Sequence, residues 1–205
     1  LFADTNFNTP ATSIVASWMD KSGNNNHLLG QGDPRTTARN HNGQNVIDFD
    51  GNDYFKSSSA YATGNDFSFL MVAGIDAISS AYNSILAIRQ SIGHPSFQID
   101  AGESSQFRLR FYDQDMGTAK TFASSSQHGP SIYEFIFNGT ADLLEVFVDG
   151  TSLGTTPYTA APNQGNELNL FSNRGQNDHP NGFVAEFIGT TSALQATERQ
   201  KIENY

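Results

Sequence analysis

Two groups of side chains in this sequence have the types and spacing to do chemistry. The first could grip a sugar, which needs planar hydrogen-bonding groups from Asn, Asp and Arg, and aromatic rings to cover C–H faces. Tyr82, His94, Arg108, Arg110, Tyr112, Asn173, Arg174 and His179 supply such groups and are the candidate ligand-binding residues. Arg108 and Arg110 share one face of a period-two segment with Tyr112, an arrangement able to take an acidic or sulfated glycan by bidentate bonds. The alternative is that these arginines pair with some of the 21 acidic residues. The second group offers oxygen ligands to a hard cation. Asp113 and Asp115 flank Gln114, so their carboxylates lie on one side of an extended segment, while Asp178 joins Asn173 and Asn177 in another oxygen-rich loop. Calcium takes such oxygens and is the expected cofactor, with Asp113, Asp115 and Asp178 as candidate ligands. Asp48, Asp50, Asn52 and Asp53 form a third cluster, read as a tight turn at Asp50-Gly51 in which the Asp caps backbone amides.

Catalysis finds less support. A glycosidase needs two carboxylates close together, one as acid and one as nucleophile or base. Asp100 and Glu103 come nearest, and a turn at Gly102 is expected to split them. The five histidines, at 27, 41, 94, 128 and 179, lack paired zinc spacing. No catalytic residue is assigned.

These side chains need a scaffold, and the composition describes one. The 205 residues are 37% hydrophobic and 12% aromatic, with 16 Phe and a single Trp, enough for one domain whose core is filled by phenylalanine between two sheets. Only 16% are charged, leaving a surface of amides, hydroxyls and glycine that suits sugars or solvent. A net charge of −10 opposes both nucleic acid and anionic lipid, since each is held by clustered Lys and Arg. There is no cysteine, hence no disulfide and no thiolate metal site. No apolar run is long enough to insert in a membrane. The chain opens on Leu1 without a signal-peptide pattern, and is expected to be a piece of a larger multidomain protein.

Period-two patterns dominate. Phe67, Phe69, Met71 and Ala73 predict a strand buried on both faces, and Phe107, Leu109 and Phe111 one with a single apolar face. Ile132 to Phe137 and Leu143 to Val148 predict two strands joined at Asn138-Gly139-Thr140, and Asp149-Gly150 turns the second back towards Leu153. Asn138-Gly139-Thr140 also fits the N-glycosylation pattern, though the hairpin accounts for it. Leu168 with Leu170, and Phe183 to Ile188, complete the strands. Segments 20–45, 161–166 and 172–182 read as loops. Only Gln195 to Tyr205 reads as helix, with Leu194, Ile202 and Tyr205 on one apolar side and Glu198 at the third position of a weak capping box.

Taken in order, several of these pieces resemble one family. They are Trp18 to Asn26 with its Trp-x-Asp-x-Ser-Gly run, Asn42-Gly43-Gln44-Asn45-Val46, Phe49-Asp50-Gly51, Val148-Asp149-Gly150, Gly182 to Phe187, and Thr197 to Tyr205. The sequence is similar to laminin-G-like, concanavalin A-like domains over nearly its whole length, and departs by stopping at the tyrosine of the last helix. The resemblance implies an all-β, two-sheet antiparallel jelly-roll β-sandwich with a short C-terminal helix, spanning 1–205 as a single domain. It implies an accessory module of polysaccharide-active, adhesin or viral surface proteins, extracellular or on a cell or virion surface, binding glycan or polysaccharide, often with calcium. Trp18 is then core packing beside a loop rather than a sugar platform. Glycosidases of this fold carry a Glu-x-Asp-x-x-Glu pattern, missing here, and lyases use Arg, Gln, His and Tyr on the concave sheet. Gln98, His94, Arg108, Arg110 and Tyr112 supply those types without the expected order. The expected function is a non-catalytic carbohydrate-binding or adhesion module. A polysaccharide lyase or glycosidase, and a structural protein–protein module, are the alternatives.

Overall fold

The computed structural model describes residues 13–61, 64–78, 83–89, 95–103, 106–112, 119–124, 129–158, 167–173 and 179–204. Among them the strands run, in order, β1 (Ser17–Trp18), β2 (Leu28–Gln31), β3 (Arg35–His41), β4 (Gln44–Asp50), β5 (Tyr54–Ser57), β6 (Phe67–Ala77), β7 (Ser84–Arg89) and β8 (Pro95–Glu103). There follow β9 (Gln106–Tyr112), β10 (Ala119–Ser124), β11 (Ser131–Asn138), β12 (Leu143–Val148), β13 (Thr151–Pro157), β14 (Glu167–Leu170) and β15 (Asn181–Thr190), then helix α1 (Ala196–Glu203). They form two antiparallel sheets, an eight-stranded one in the order β1-β2-β5-β14-β7-β8-β9-β10 and a seven-stranded one in the order β13-β12-β11-β6-β15-β4-β3. The protein is an all-β, two-sheet sandwich with one short helix near its end.

Alternation explains the core. Phe67, Phe69, Met71, Ala73 and Ile75 of the central strand β6 turn inward and meet Leu86, Ile88, Phe97, Ile99, Leu109 and Phe111 of the opposite sheet. Phe97 stands edge-on to Phe67 at 5.3 Å, and Phe49 stacks on Phe171 at 4.2 Å, so rings from both sheets interlock. Burying each such ring contributes about 1.5–3 kcal/mol, and Phe is the main filler. Of the outward residues of β6, Ser68 and Leu70 are buried, while Val72 is half-buried and Asp76 exposed. Trp18 lies in the core against Phe55 at 5.9 Å.

Three expectations need correction. Segment 20–45 is not one loop: it contains β2, β3 and the start of β4. β3 is an edge strand of polar residues, so it lacks the apolar alternation that marks a strand buried on one face. Asn42 and Gly43, with φ of 50° and 79°, make the two-residue turn that pairs His41 with Gln44. Gly102 is not a turn either. β8 runs through it to Glu103, with an irregularity in its pairing to β9 between Asp100 and Gly102. Nor does α1 dock by an apolar side: its buried residue is Arg199, while Ile202 is half-buried.

Candidate functional site

The turn Asp50-Gly51-Asn52-Asp53 carries the chain from β4 in one sheet to β5 in the other. Asp50 Oδ1 accepts the Asn52 N–H at 3.1 Å, which shapes the turn. Gly51 has φ of 98°, and a side chain there would run into Asn181. Asp53 then fastens two turns together: Oδ1 accepts the Asp33 N–H at 2.8 Å and Oδ2 the Asp50 N–H at 3.3 Å. Asp53 is 2% exposed. Burial holds its carboxyl above the usual range; the Asp50 amide pulls it down, and the Asp50 charge adds to the rise.

Beside these turns, over the outer face of the seven-stranded sheet, opens a cleft of about 370 Å³. Its wall is built across four strands. Arg39 of β3 reaches Asp48 of β4 (Nε, 3.2 Å) and Asp76 of β6 (Nη2, 2.7 Å), with its guanidinium 4.8 Å above the Phe183 ring of β15. Phe183 can lie flat there because its neighbour is Gly74; any Cβ at Gly74 would strike the ring. Thr37 bonds to Asp48, and Arg35 pairs with Asp33. Asn181, first residue of β15, lines the cleft next to the Gly51 turn.

An aromatic pair lies across the crossing, where alternation puts Tyr54 of β5 on the outer face of the eight-stranded sheet. His179 stacks on Tyr54, ring centres 5.1 Å apart and planes within 13°. His179 Nδ1–H donates to the Phe171 carbonyl at 3.1 Å, which fixes the ring. Both rings are half-buried, so part of each faces solvent. Burial, then the charge of Glu167, raises the Tyr54 pKa. Tyr54 follows Asp53 directly and His179 precedes Asn181 by two residues, so the stack and the cleft are joined through the backbone at the crossing between the sheets.

Leu109 and Phe111 face the core, so backbone alternation puts positions 108, 110 and 112 on the opposite face. Tyr112 is the register partner of Gln98, and Arg110 of Asp100. Asp100 is fully buried and accepts bonds from Ser84 Oγ and Gln98 Nε2, both at 2.6 Å. These bonds are internal to the sheet, not directed at solvent.

Of the residues expected to bind a ligand, His179 lies two residues before Asn181 of the cleft, with its backbone oxygen near the Gly51 turn, but does not line the cleft. Asn173 is 6% exposed, beyond the end of β14. Arg108, Arg110 and Tyr112 belong to β9 of the eight-stranded sheet, whereas the cleft lies over the seven-stranded one. Tyr82, His94, Arg174, Asp113, Asp115 and Asp178 lie outside the described residues. Sequence reasoning missed Asp33, Arg35, Arg39, Tyr54, Asp76 and Asn181 as site residues. The one signal for them was the Asp50-Gly51 turn, read only as structure.

Asp33, Asp50 and Asp53 bring one carboxylate oxygen each within 4.8 Å of one another. These are hard oxygens of the kind calcium takes, though it uses about six to eight. Both Asp53 oxygens and one of Asp50 already accept backbone amides, so the trio is explained as a clasp between turns.

No protein-family model matches the sequence, and no curated protein matches it. Solved structures do share its shape. Domain 4 of AbnA, a GH43 extracellular arabinanase from Geobacillus stearothermophilus solved with arabinotriose, superposes with a TM-score of 0.70 at 10% identity, covering 89% of this chain and 91% of that one. The binding domain of botulinum neurotoxin DC in complex with SialylT gives 0.65 at 12%, covering 94% of this chain and 51% of that one. The serotype D ligand-binding domain in complex with N-acetylneuraminic acid gives 0.64 at 10%, covering 94% and 50%. The chain thus spans about half the length of the neurotoxin domains it matches. At such identity the likeness establishes the fold: a two-sheet β-sandwich of the architecture these domains share.

Proposed function

We propose that the protein is a non-catalytic carbohydrate-binding or adhesion module, carried by a larger extracellular or surface protein, and that the cleft beside the Asp50-Gly51 turn is its sugar site. The observation that carries this reading is the convergence of Asn181, Asp50 and Arg35 in one cleft, with the half-exposed Tyr54–His179 stack across the same crossing of the chain between the sheets. Planar amide, carboxylate and guanidinium groups meet vicinal hydroxyls edge-on, while an aromatic face covers sugar C–H groups. The sugars bound to the arabinanase domain and the serotype D toxin domain support the same class of ligand. The resemblance to laminin-G-like domains points the same way. Such shallow sites bind weakly one at a time and gain strength by multivalency. Calcium dependence belongs to the same proposal.

A glycan-array hit followed by calorimetry, in calcium and again in EDTA, tests it. His179→Ala and Asn181→Ala should each weaken binding by about tenfold, in line with the loss of one buried polar or stacking contact. Full-strength binding in both variants would reject the cleft. Loss in EDTA would establish the calcium requirement. Release of reducing ends or unsaturated uronates would instead favour the enzyme reading, with Gln98, Asp100, Arg110 and Tyr112 brought together by register on the other sheet.

A further inference from the structure

The charges around the cleft do not balance. Asp33, Asp48, Asp50, Asp53 and Asp76 stand against Arg35 and Arg39, a surplus of three negative charges among the described residues. Both arginines are already engaged, Arg35 by Asp33 and Arg39 by Asp48 and Asp76 with the Phe183 ring beneath it. Neither presents its fork to an incoming carboxylate without giving up a present partner. Lys56 of β5 is drawn instead towards Glu167 at 3.8 Å. The His179 donor at Nδ1 is spent on the Phe171 carbonyl. The whole chain, at −10, adds to the same field.

We infer that the cleft selects glycans by charge: amine-bearing glycans bind most tightly, neutral ones less so, and glycans carrying carboxylate or sulfate are turned away. The inference rests on the reading of the cleft as the sugar site. It reverses the preference that the Arg108 and Arg110 pair suggested from sequence, because those residues sit on β9 and not at the cleft. An ammonium replacing an acetamide gains attraction from Asp50 and its neighbours at no cost in shape. A uronate at the same place must approach like charges with no unengaged cation among the described residues of the cleft to meet it. The cleft is half open to solvent, so the effect decays over a Debye length of about 8 Å at physiological salt and is read best at low ionic strength.

The experiment is a calorimetric titration of the whole chain with three tetrasaccharides of equal length: a glucosamine tetramer, an N-acetylglucosamine tetramer, and an alternating N-acetylglucosamine–glucuronate tetramer. The buffer is mildly acidic, to protonate the amines while leaving carboxylates ionised. The amine form should bind about tenfold tighter than the acetylated form and the uronate form about tenfold weaker, with both gaps shrinking as salt is added. Asp33→Asn/Asp50→Asn, checked for an unchanged circular dichroism spectrum, removes two of the three surplus charges and should shrink both gaps to well under tenfold; the neutral amide introduced at position 50 still offers an oxygen to the Asn52 N–H. Equal or tighter binding of the uronate form, or gaps that survive undiminished in the double variant, would overturn the charge selection and leave the sugar site standing. Failure of all three to bind, or binding untouched by Asn181→Ala, would overturn the sugar site and the selection with it.

Discussion

Asp20 shows how much of this fold hangs on single carboxylates. Its Oδ1 accepts the Ser22 N–H at 2.7 Å, its Oδ2 accepts the Ser22 hydroxyl at 2.8 Å and the Asn26 N–H at 2.9 Å, and its own N–H donates to His27 Nδ1 at 3.1 Å. Burial pushes the Asp20 carboxyl up, but the bonds from Ser22 and Asn26 outweigh it and hold the group below its usual range. Such a group stabilises the fold above its unfolded pKa, and the contribution is lost as pH falls through the folded pKa. Asp20→Ala should therefore cost about 1–3 kcal/mol at neutral pH and less in acid, as urea unfolding across pH will show. A constant difference at every pH would refute this role. The Trp-x-Asp-x-Ser-Gly run made both residues legible from sequence, Trp18 as core and Asp20 within a loop. The cleft was less legible. Asp33 and Arg39 are close in sequence but Asp76 is not, and nothing local ties an Arg on a polar edge strand to an Asp near the end of a core strand.

Among the elements, α1 defies the simple amphipathic reading. It docks through Arg199, 8% exposed, whose guanidinium lies 3.6 Å over the Phe147 ring and reaches the fully buried Glu134 at 3.0 Å. Glu203, one turn on, sits 3.5 Å from the same nitrogen. Burial raises the Glu134 pKa; Arg199 lowers it and Glu203 raises it again, for a net rise. Stability linked to a raised carboxyl is present below the unfolded pKa and is lost as pH rises through the folded one. Arg199→Ala removes the counter-charge, so it should cost about 3–5 kcal/mol at neutral pH and less in acid, while Glu134→Gln/Arg199→Met should regain most of the loss. Equal loss in the single and double variants would contradict a charge-based latch. The strands divide along a physical line. β6, β11, β12 and β15 were legible because a central strand or a strand with one core face must alternate or run apolar. β3 was not, since polar side chains and one-sided pairing leave no period to read, and β2, four residues long, is too short to show one. The Asn42-Gly43 turn between β3 and β4 was the missed clue.

At the scale of the whole molecule, two sheets share a single phenylalanine-rich core, and the chain crosses between them at the Asp50-Gly51 turn. That crossing lets residues from both sheets and from the segment before β15 meet at one rim, where the rigid sandwich holds a cleft beside an aromatic stack. Among the described residues no helix is long and apolar enough to cross a membrane. The fold was legible because phenylalanine content, hairpin turns and alternation all agree on two packed sheets. The site was not, because its residues come from one turn and from four strands that sequence alone does not bring together.

The most direct test is an amide chemical-shift map of the labelled protein titrated with a glycan selected from the array. Sugar binding at the cleft predicts that shifts cluster in residues 32–35, 50–54 and 179–181. Shifts confined to β8 and β9, or no glycan that moves any amide, would contradict it.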